Sequence, residues 1–101
     1  MKDGQINLAT VREFTGQVPS NGELTIQIKS ADLSASTTFS FQLSLNGSGW
    51  DIAQENGTDI TDTLVANEDK IKSFSVVPNI LFKIKFDGVT TGIVTYTHTG
   101  N

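Results

Sequence analysis

Residues 73–97, SFSVVPNILFKIKFDGVTTGIVTYT, decide the fold of this chain. Within this stretch apolar residues recur at every second position on both sides of Pro78 and again after Gly88. A period of two places those side chains on one face of an extended strand. Asp87-Gly88 separates the two apolar runs, and Asp-Gly is a frequent turn of β-hairpins. The stretch therefore predicts two paired strands in the middle of a sheet.

The segments 14–18 and 24–28 are predicted to pair as another hairpin. Between them lies the turn sequence Pro19-Ser20-Asn21-Gly22, and a three-residue loop would place Gly22 in the left-handed conformation. This register pairs Val18 with Leu24 and stacks the apolar residues of both segments on one face, as a buried face requires.

Residues 39–52 predict a third hairpin, which closes at Asn46-Gly47. Apolar residues occupy every second position from Phe39 to Leu45, so these side chains are expected to face the core. A two-residue turn at Asn46-Gly47 sets Leu43 opposite Trp50. The register therefore predicts that Trp50 packs in the core, with an exposed platform for ligands as the alternative.

These segments together predict an all-β chain, a two-sheet antiparallel β-sandwich, jelly-roll-like or Ig-like, with seven or eight short strands. Residues 1–10 are predicted to form an N-terminal arm or edge strand, residues 11–98 the sandwich domain, and residues 99–101 a flexible tail. Pro78 cannot donate a hydrogen bond to a neighbouring strand, so it marks a bend or an exchange between sheets.

The composition argues against several classes of protein. The net charge is −4 and the seven Lys and Arg residues are scattered, so no nucleic-acid partner is expected. The absence of cysteine excludes a disulfide scaffold and a thiolate metal site. No apolar run reaches the length of a membrane span, and Met1–Gln5 has no signal-peptide character, so we expect no membrane contact and synthesis in the cytoplasm.

No group of residues predicts catalysis, a cofactor or a metal site. His98 is the only histidine, and its position near the predicted tail indicates a solvated side chain. Carboxylates concentrate in the middle of the chain, at Asp51, Glu55, Asp59, Asp62, Glu68 and Asp69. We interpret them as solvated turn residues, with a calcium site or a glycosidase pair as the alternatives.

Four apolar residues have no predicted partner in the core: Val77, Leu81, Val94 and Tyr96. In the Asp87-Gly88 register they form a strip on the outer face of the sheet. Exposed apolar patches mark interfaces, so this strip predicts a homo-oligomer, a trimer if the assembly is spike-like. The alternative is that a loop or the N-terminal arm covers the strip within one subunit.

Two segments carry a resemblance to a known class of protein. They are WDIA (50–53) with NGTDIT (56–61), and FDGVTTGIVTY (86–96). With the Thr-, Ser- and Asn-rich composition, they resemble small β-sandwich structural proteins of tailed-phage virions, such as capsid decoration, head-fibre and tail-associated subunits.

The resemblance implies a function and a location. It implies a non-enzymatic virion protein, made in the host cytoplasm, that assembles as an oligomer and docks onto other virion proteins. An auxiliary capsid (decoration) or fibre subunit is therefore expected. The alternative function is a carbohydrate-binding β-sandwich module that uses an exposed aromatic side chain, Trp50 or Tyr96.

Overall fold

The fold was analysed in a computed structural model that describes residues 1–88 and 90–101. These residues form eleven β-strands and no helix. The described part of the chain therefore contains no long apolar helix that could span a membrane. The strands are β1 (Lys2–Asn7), β2 (Glu13–Gln17), β3 (Glu23–Ala31), β4 (Thr37–Ser44), β5 (Asp51–Ile52), β6 (Gln54–Glu55), β7 (Thr58–Asp59), β8 (Thr61–Leu64), β9 (Asp69–Ser75), β10 (Leu81–Phe86) and β11 (Ile93–His98). The prediction of an all-β chain is confirmed.

The long strands form two antiparallel sheets. Sheet A has the order β1-β11-β3-β9, and sheet B has the order β2-β10-β4, with β5 and β8 both pairing with β4. Strands β6 and β7 form a separate two-stranded hairpin. Apart from β4 and β8, consecutive long strands alternate between the sheets, which gives the strand order of a jelly roll. The predicted two-sheet antiparallel sandwich is confirmed.

Aromatic rings join the two sheets across the core. The three closest ring pairs between the sheets have centroid distances of 3.9 Å for Phe14 and Tyr96, 4.1 Å for Phe41 and Phe74, and 5.0 Å for Phe82 and His98. In each pair the first ring comes from sheet B and the second from sheet A. These contacts lie among buried Leu, Ile and Val side chains and fix how the two sheets pack against each other.

The hairpin predicted between residues 14–18 and 24–28 is wrong, although the buried faces of both segments are as predicted. Val18 and Leu24 are fully buried, and Gly22 has a φ of 76°. The turn at Gly22, however, carries the chain from sheet B to sheet A, so β2 and β3 belong to opposite sheets and do not pair. Apolar alternation identifies the buried face of a strand, but a partner beside it and a partner opposite it satisfy that face equally.

The hairpin predicted at Asp87-Gly88 is wrong for the same reason, since β10 lies inside sheet B and β11 inside sheet A. The predicted apolar strip therefore does not exist. Val94 is fully buried in the core and Tyr96 stacks on Phe14, whereas Leu81 belongs to the other sheet. Of the four residues only Val77 is largely exposed, at 59%, and Leu81 is half-buried. The exchange between sheets predicted at Pro78 does occur, between β9 and β10.

Both ends of the chain are held by backbone hydrogen bonds. Residues 2–7 form an edge strand that pairs with β11 along its whole length. Residues 99–101, predicted to be a flexible tail, instead bridge the two sheets. The amide of Thr99 donates to the carbonyl of Thr25 in sheet A, and Asn101 exchanges two hydrogen bonds with Gln17 in sheet B.

His98 is buried, contrary to the prediction of a solvated side chain. It is 2% exposed and packs edge-on against Phe82, because β11 is an interior strand whose alternate residues point into the core. Its Nδ1 atom has no hydrogen-bond partner within the part of the chain that is described. Burial, and then the positive charge of Lys2, lower the pKa of His98 below its usual 6.5.

Truncating a ring between the sheets should cost far more stability than truncating an apolar residue on the surface. We expect Phe41→Ala to lower the free energy of unfolding by about 3–5 kcal/mol, because it removes a buried ring and leaves a cavity. Leu45→Ala is the matched control and should change it by less than about 0.5 kcal/mol, since Leu45 is 88% exposed. Urea denaturation measures both, and similar losses for the two variants would contradict this core.

The burial of His98 predicts a fall in stability on mild acidification. The folded state keeps the ring neutral, whereas the unfolded chain takes up a proton below pH 6.5, so stability is complete above that pH and falls as the pH drops towards the folded pKa. The slope cannot exceed about 1.4 kcal/mol per pH unit for one proton. Urea titrations between about pH 5 and pH 8 should show this slope in the parent chain.

The control for this measurement is His98→Asn, which removes the titrating group from the same position. Its stability at neutral pH serves only as the baseline, and the slope just below pH 6.5 should disappear. A slope equal to that of the parent chain would show that His98 is not the group responsible.

Candidate binding groove around Trp50

The structure places Trp50 on the outer face of sheet B, so the prediction that it packs in the core is wrong. The expected register set Leu43 opposite Trp50, but Leu43 pairs with Asp51 and Gln42 with Ile52. A shift of one residue moves every side chain of a strand to the other face of the sheet. Trp50 is therefore half-buried on the outer surface, and Leu45 is exposed.

The shift arises because residues 45–50 form a longer loop than the two-residue turn predicted at Asn46-Gly47. The Oδ1 atom of Asn46 accepts the backbone N–H groups of Ser48 and Gly49, at 2.9 and 3.0 Å. The Oγ atom of Ser44 accepts the N–H of Gly47 at 2.9 Å. Side chains thus satisfy backbone donors that a tight hairpin would have paired, as Asn and Ser often do in turns.

The indole ring of Trp50 is held by two contacts. Its Nε1 atom donates to the carbonyl of Gly47 at 3.2 Å, and the Nζ atom of Lys83 lies 4.4 Å from the ring centroid. Lys83 also forms an ion pair of 3.1 Å with Glu13, and its side chain is only 15% exposed. Trp50, Lys83 and Glu13 therefore form one connected unit, stabilised by cation–π and ionic attraction.

A groove of about 590 Å³ lies beside this unit on the outer face of sheet B. The polar and aromatic side chains that line the groove come from β2, β10, the 45–50 loop and the last residue. They are Glu13, Thr15, Gln17, Trp50, Lys83 and Asn101. We call this site the Trp50 groove. Two depressions of about 530 and 700 Å³ adjoin it and are also lined by Trp50.

The structure separates the two aromatic residues predicted to bind carbohydrate. Trp50 lines the groove, whereas Tyr96 stacks on Phe14 inside the sandwich with an interplanar angle of 2°. Glu13, Gln17 and Lys83 were not identified from the sequence. They meet because β2 pairs with β10, two strands far apart in the chain, and no local pattern signals that pairing.

Four of the six carboxylates of the middle segment, Asp59, Asp62, Glu68 and Asp69, have a hydrogen-bonded or ionic partner. The described residues contain no group of three or more metal-ligating side chains. Asp62 accepts from Lys72 at 2.8 Å and from Lys70 at 3.3 Å. The hydrogen bond from Lys72 is the main reason that the pKa of Asp62 falls to about 2. Asp59 accepts from the amide of Gln54 at 2.9 Å.

No protein-family model matches this chain, and a search of curated proteins finds no similar sequence. The jelly-roll strand order and the Trp50 groove are thus the features that bear on function.

Removing the side chain that holds the 45–50 loop should loosen Trp50. We expect Asn46→Ala to lower the free energy of unfolding by about 1 kcal/mol and to weaken the near-UV circular dichroism of the indole, because two backbone donors lose their acceptor. Asn46→Asp keeps an oxygen acceptor at that place and should retain the spectrum. An unchanged spectrum in Asn46→Ala would show that the amide does not order the loop.

Proposed function

We propose that this chain is a non-enzymatic structural subunit of a tailed-phage virion, an auxiliary capsid (decoration) or fibre protein. It is made in the host cytoplasm and docks onto other virion proteins as a homo-oligomer. The observation that carries the proposal is the order of the strands, β1-β11-β3-β9 facing β2-β10-β4 with β8 at the edge. Jelly rolls of this kind serve as capsid domains and as lectin domains. The support for the proposal therefore comes from the fold.

Two side chains that could perform chemistry, His98 and Asp62, are occupied in structural contacts. The only histidine of the chain contacts Phe82 in the core, where solvent does not reach it. Asp62 lies between Lys70 and Lys72, and these ion pairs close the open side of the sandwich between β8 and β9. A docking role uses the shape and surface of such a domain and requires no reactive group, which supports a structural subunit.

The docking surface that we propose lies at one end of the sandwich. Leu45 directly follows Ser44, whose partner in the sheet is Leu81, and Val77 lies in the connection that leads into Leu81. Leu45 is 88% exposed and Val77 is 59% exposed. Burying these side chains in a subunit contact would contribute about 25 cal/mol for each Å² of apolar surface removed from water. This end replaces the strip predicted from the sequence and keeps only Val77 from it.

Particle association tests the virion assignment directly. A tagged copy of the chain should be expressed in the strain that carries its gene, and the phage particles released by that strain should be banded in a density gradient. We expect the tag to band with intact particles and to remain there after nuclease treatment, since the contact is between proteins. A tag that stays with the free protein while particles band normally would contradict the assignment.

The docking surface is tested by polar substitution. The mass in solution, measured by light scattering, should exceed the 10.9 kDa of one chain and should fall in the double variant Leu45→Ser with Val77→Ser. Ile71→Ser is the matched control, because Ile71 is also exposed but lies on β9 at the edge of sheet A. A monomeric parent chain, or equal masses for the double variant and the parent, would refute this surface.

A further inference from the structure

The balance of charge in the Trp50 groove restricts the kind of ligand that it can hold. The ammonium group of Lys83 is neutralised by Glu13 at 3.1 Å. The other polar side chains of the groove, Thr15, Gln17 and Asn101, carry no charge. The opposite charges of Glu13 and Lys83 offset each other, so these side chains offer no net charge to attract an ion, whereas a neutral molecule with many hydroxyl groups can both donate and accept hydrogen bonds here. The groove therefore favours a neutral, polyhydroxylated ligand.

Trp50 adds an apolar surface to this polar groove. A pyranose ring has one face of C–H groups and an edge of hydroxyls, and this pattern matches an indole ring bordered by hydrogen-bonding side chains. The indole is held in place before any ligand arrives, by its hydrogen bond to Gly47 and by Lys83. A prepositioned aromatic ring loses little conformational entropy on binding, so more of the contact energy appears as affinity.

The size of the groove fits a ligand of one or two sugar rings. Its volume of about 590 Å³ lies within the range of about 300–1,000 Å³ that is common for small-molecule sites. The two neighbouring depressions share Trp50 as a wall, and they bring in the carboxylates of Asp51 and Asp59 and the amide of Gln54. A longer chain of sugars could continue along the same face of the molecule.

We propose that the Trp50 groove binds a neutral saccharide, with one pyranose ring packed against the part of the Trp50 indole that Lys83 leaves uncovered. Glu13, Thr15, Gln17, Lys83 and Asn101 supply the hydrogen bonds to its hydroxyl groups. The proposal goes beyond a structural role in a virion and does not depend on it. If the chain associates with particles but binds no saccharide, only the proposal of saccharide binding is refuted. If it binds a saccharide but does not associate with particles, only the virion assignment is refuted.

The test uses the intrinsic fluorescence of the protein, because Trp50 is its only tryptophan. The probes are maltose, cellobiose and lactose, with digalacturonate as an acidic saccharide and sorbitol as an open-chain polyol. We expect a saturable change in emission with at least one neutral disaccharide, at a dissociation constant on the order of 1 mM. Digalacturonate and sorbitol should bind at least about tenfold more weakly.

Substitutions then locate the binding site. Trp50→Ala, followed by ¹H–¹⁵N NMR titration, should weaken the binding of the neutral disaccharide at least about tenfold, and Trp50→Phe should have a smaller effect. Tyr96→Phe is the matched control and should leave the affinity unchanged, since Tyr96 stacks on Phe14 away from the groove. Glu13→Gln leaves Lys83 without its counter-ion, so it should increase the affinity for digalacturonate.

Three outcomes would overturn the proposal. The first is that none of the neutral disaccharides gives a saturable change. The second is full affinity in both Trp50→Ala and Trp50→Phe, which would place the site elsewhere. The third is tighter binding of digalacturonate than of every neutral disaccharide by the parent chain, which would assign the groove to an acidic ligand.

Discussion

The packing of flat rings between the two sheets is the contact on which the rest of this molecule depends. Phe14 lies against Tyr96, and Phe41 against Phe74, with interplanar angles of 2° and 6°. Because each pair takes one ring from each sheet, the stacks set both the spacing and the relative orientation of the sheets. Gly4 shows how closely the ring of Tyr96 is enclosed, since a Cβ atom there would lie 2.5 Å from the tyrosine hydroxyl oxygen.

The same packing produces the Trp50 groove on the opposite face of sheet B. Phe14 and Ile84 are buried, so their neighbours along the strands, Glu13 and Lys83, must point outward. These outward side chains stand on two hydrogen-bonded strands whose positions the core determines. A site on such strands is more rigid than one built only from loops. The one loop that contributes, residues 45–50, is held by the side chains of Ser44 and Asn46.

Much of the burial could be predicted from the sequence, but the strand neighbours could not. Phe14, Val18 and Leu24 are buried as expected, yet the strands that carry them belong to different sheets. The Asn46-Gly47 pattern predicts a two-residue turn, whereas the structure has a longer loop at residues 45–50, and this difference places Trp50 on the opposite face from the one predicted. An error of one residue in the register of a strand moves each of its side chains from the core face of the sheet to the solvent face, or the reverse. Five of the six lining side chains described above had no signal in the sequence, because they meet only through the pairing of β2 with β10 and at the end of the chain.

The local amino-acid sequence determined where the strands lie, which of their faces are apolar and where the chain turns. Gly22, Gly47 and Gly88 all have positive φ, because glycine reaches that conformation without a steric penalty. Only the tertiary structure decided which strands lie side by side, that Val94, Tyr96 and His98 belong to the core, and that Trp50 faces outward. The physical reason is that a backbone hydrogen-bond ladder is the same for any pair of strands. The choice of partner therefore comes from how all the buried side chains fit together across the two sheets.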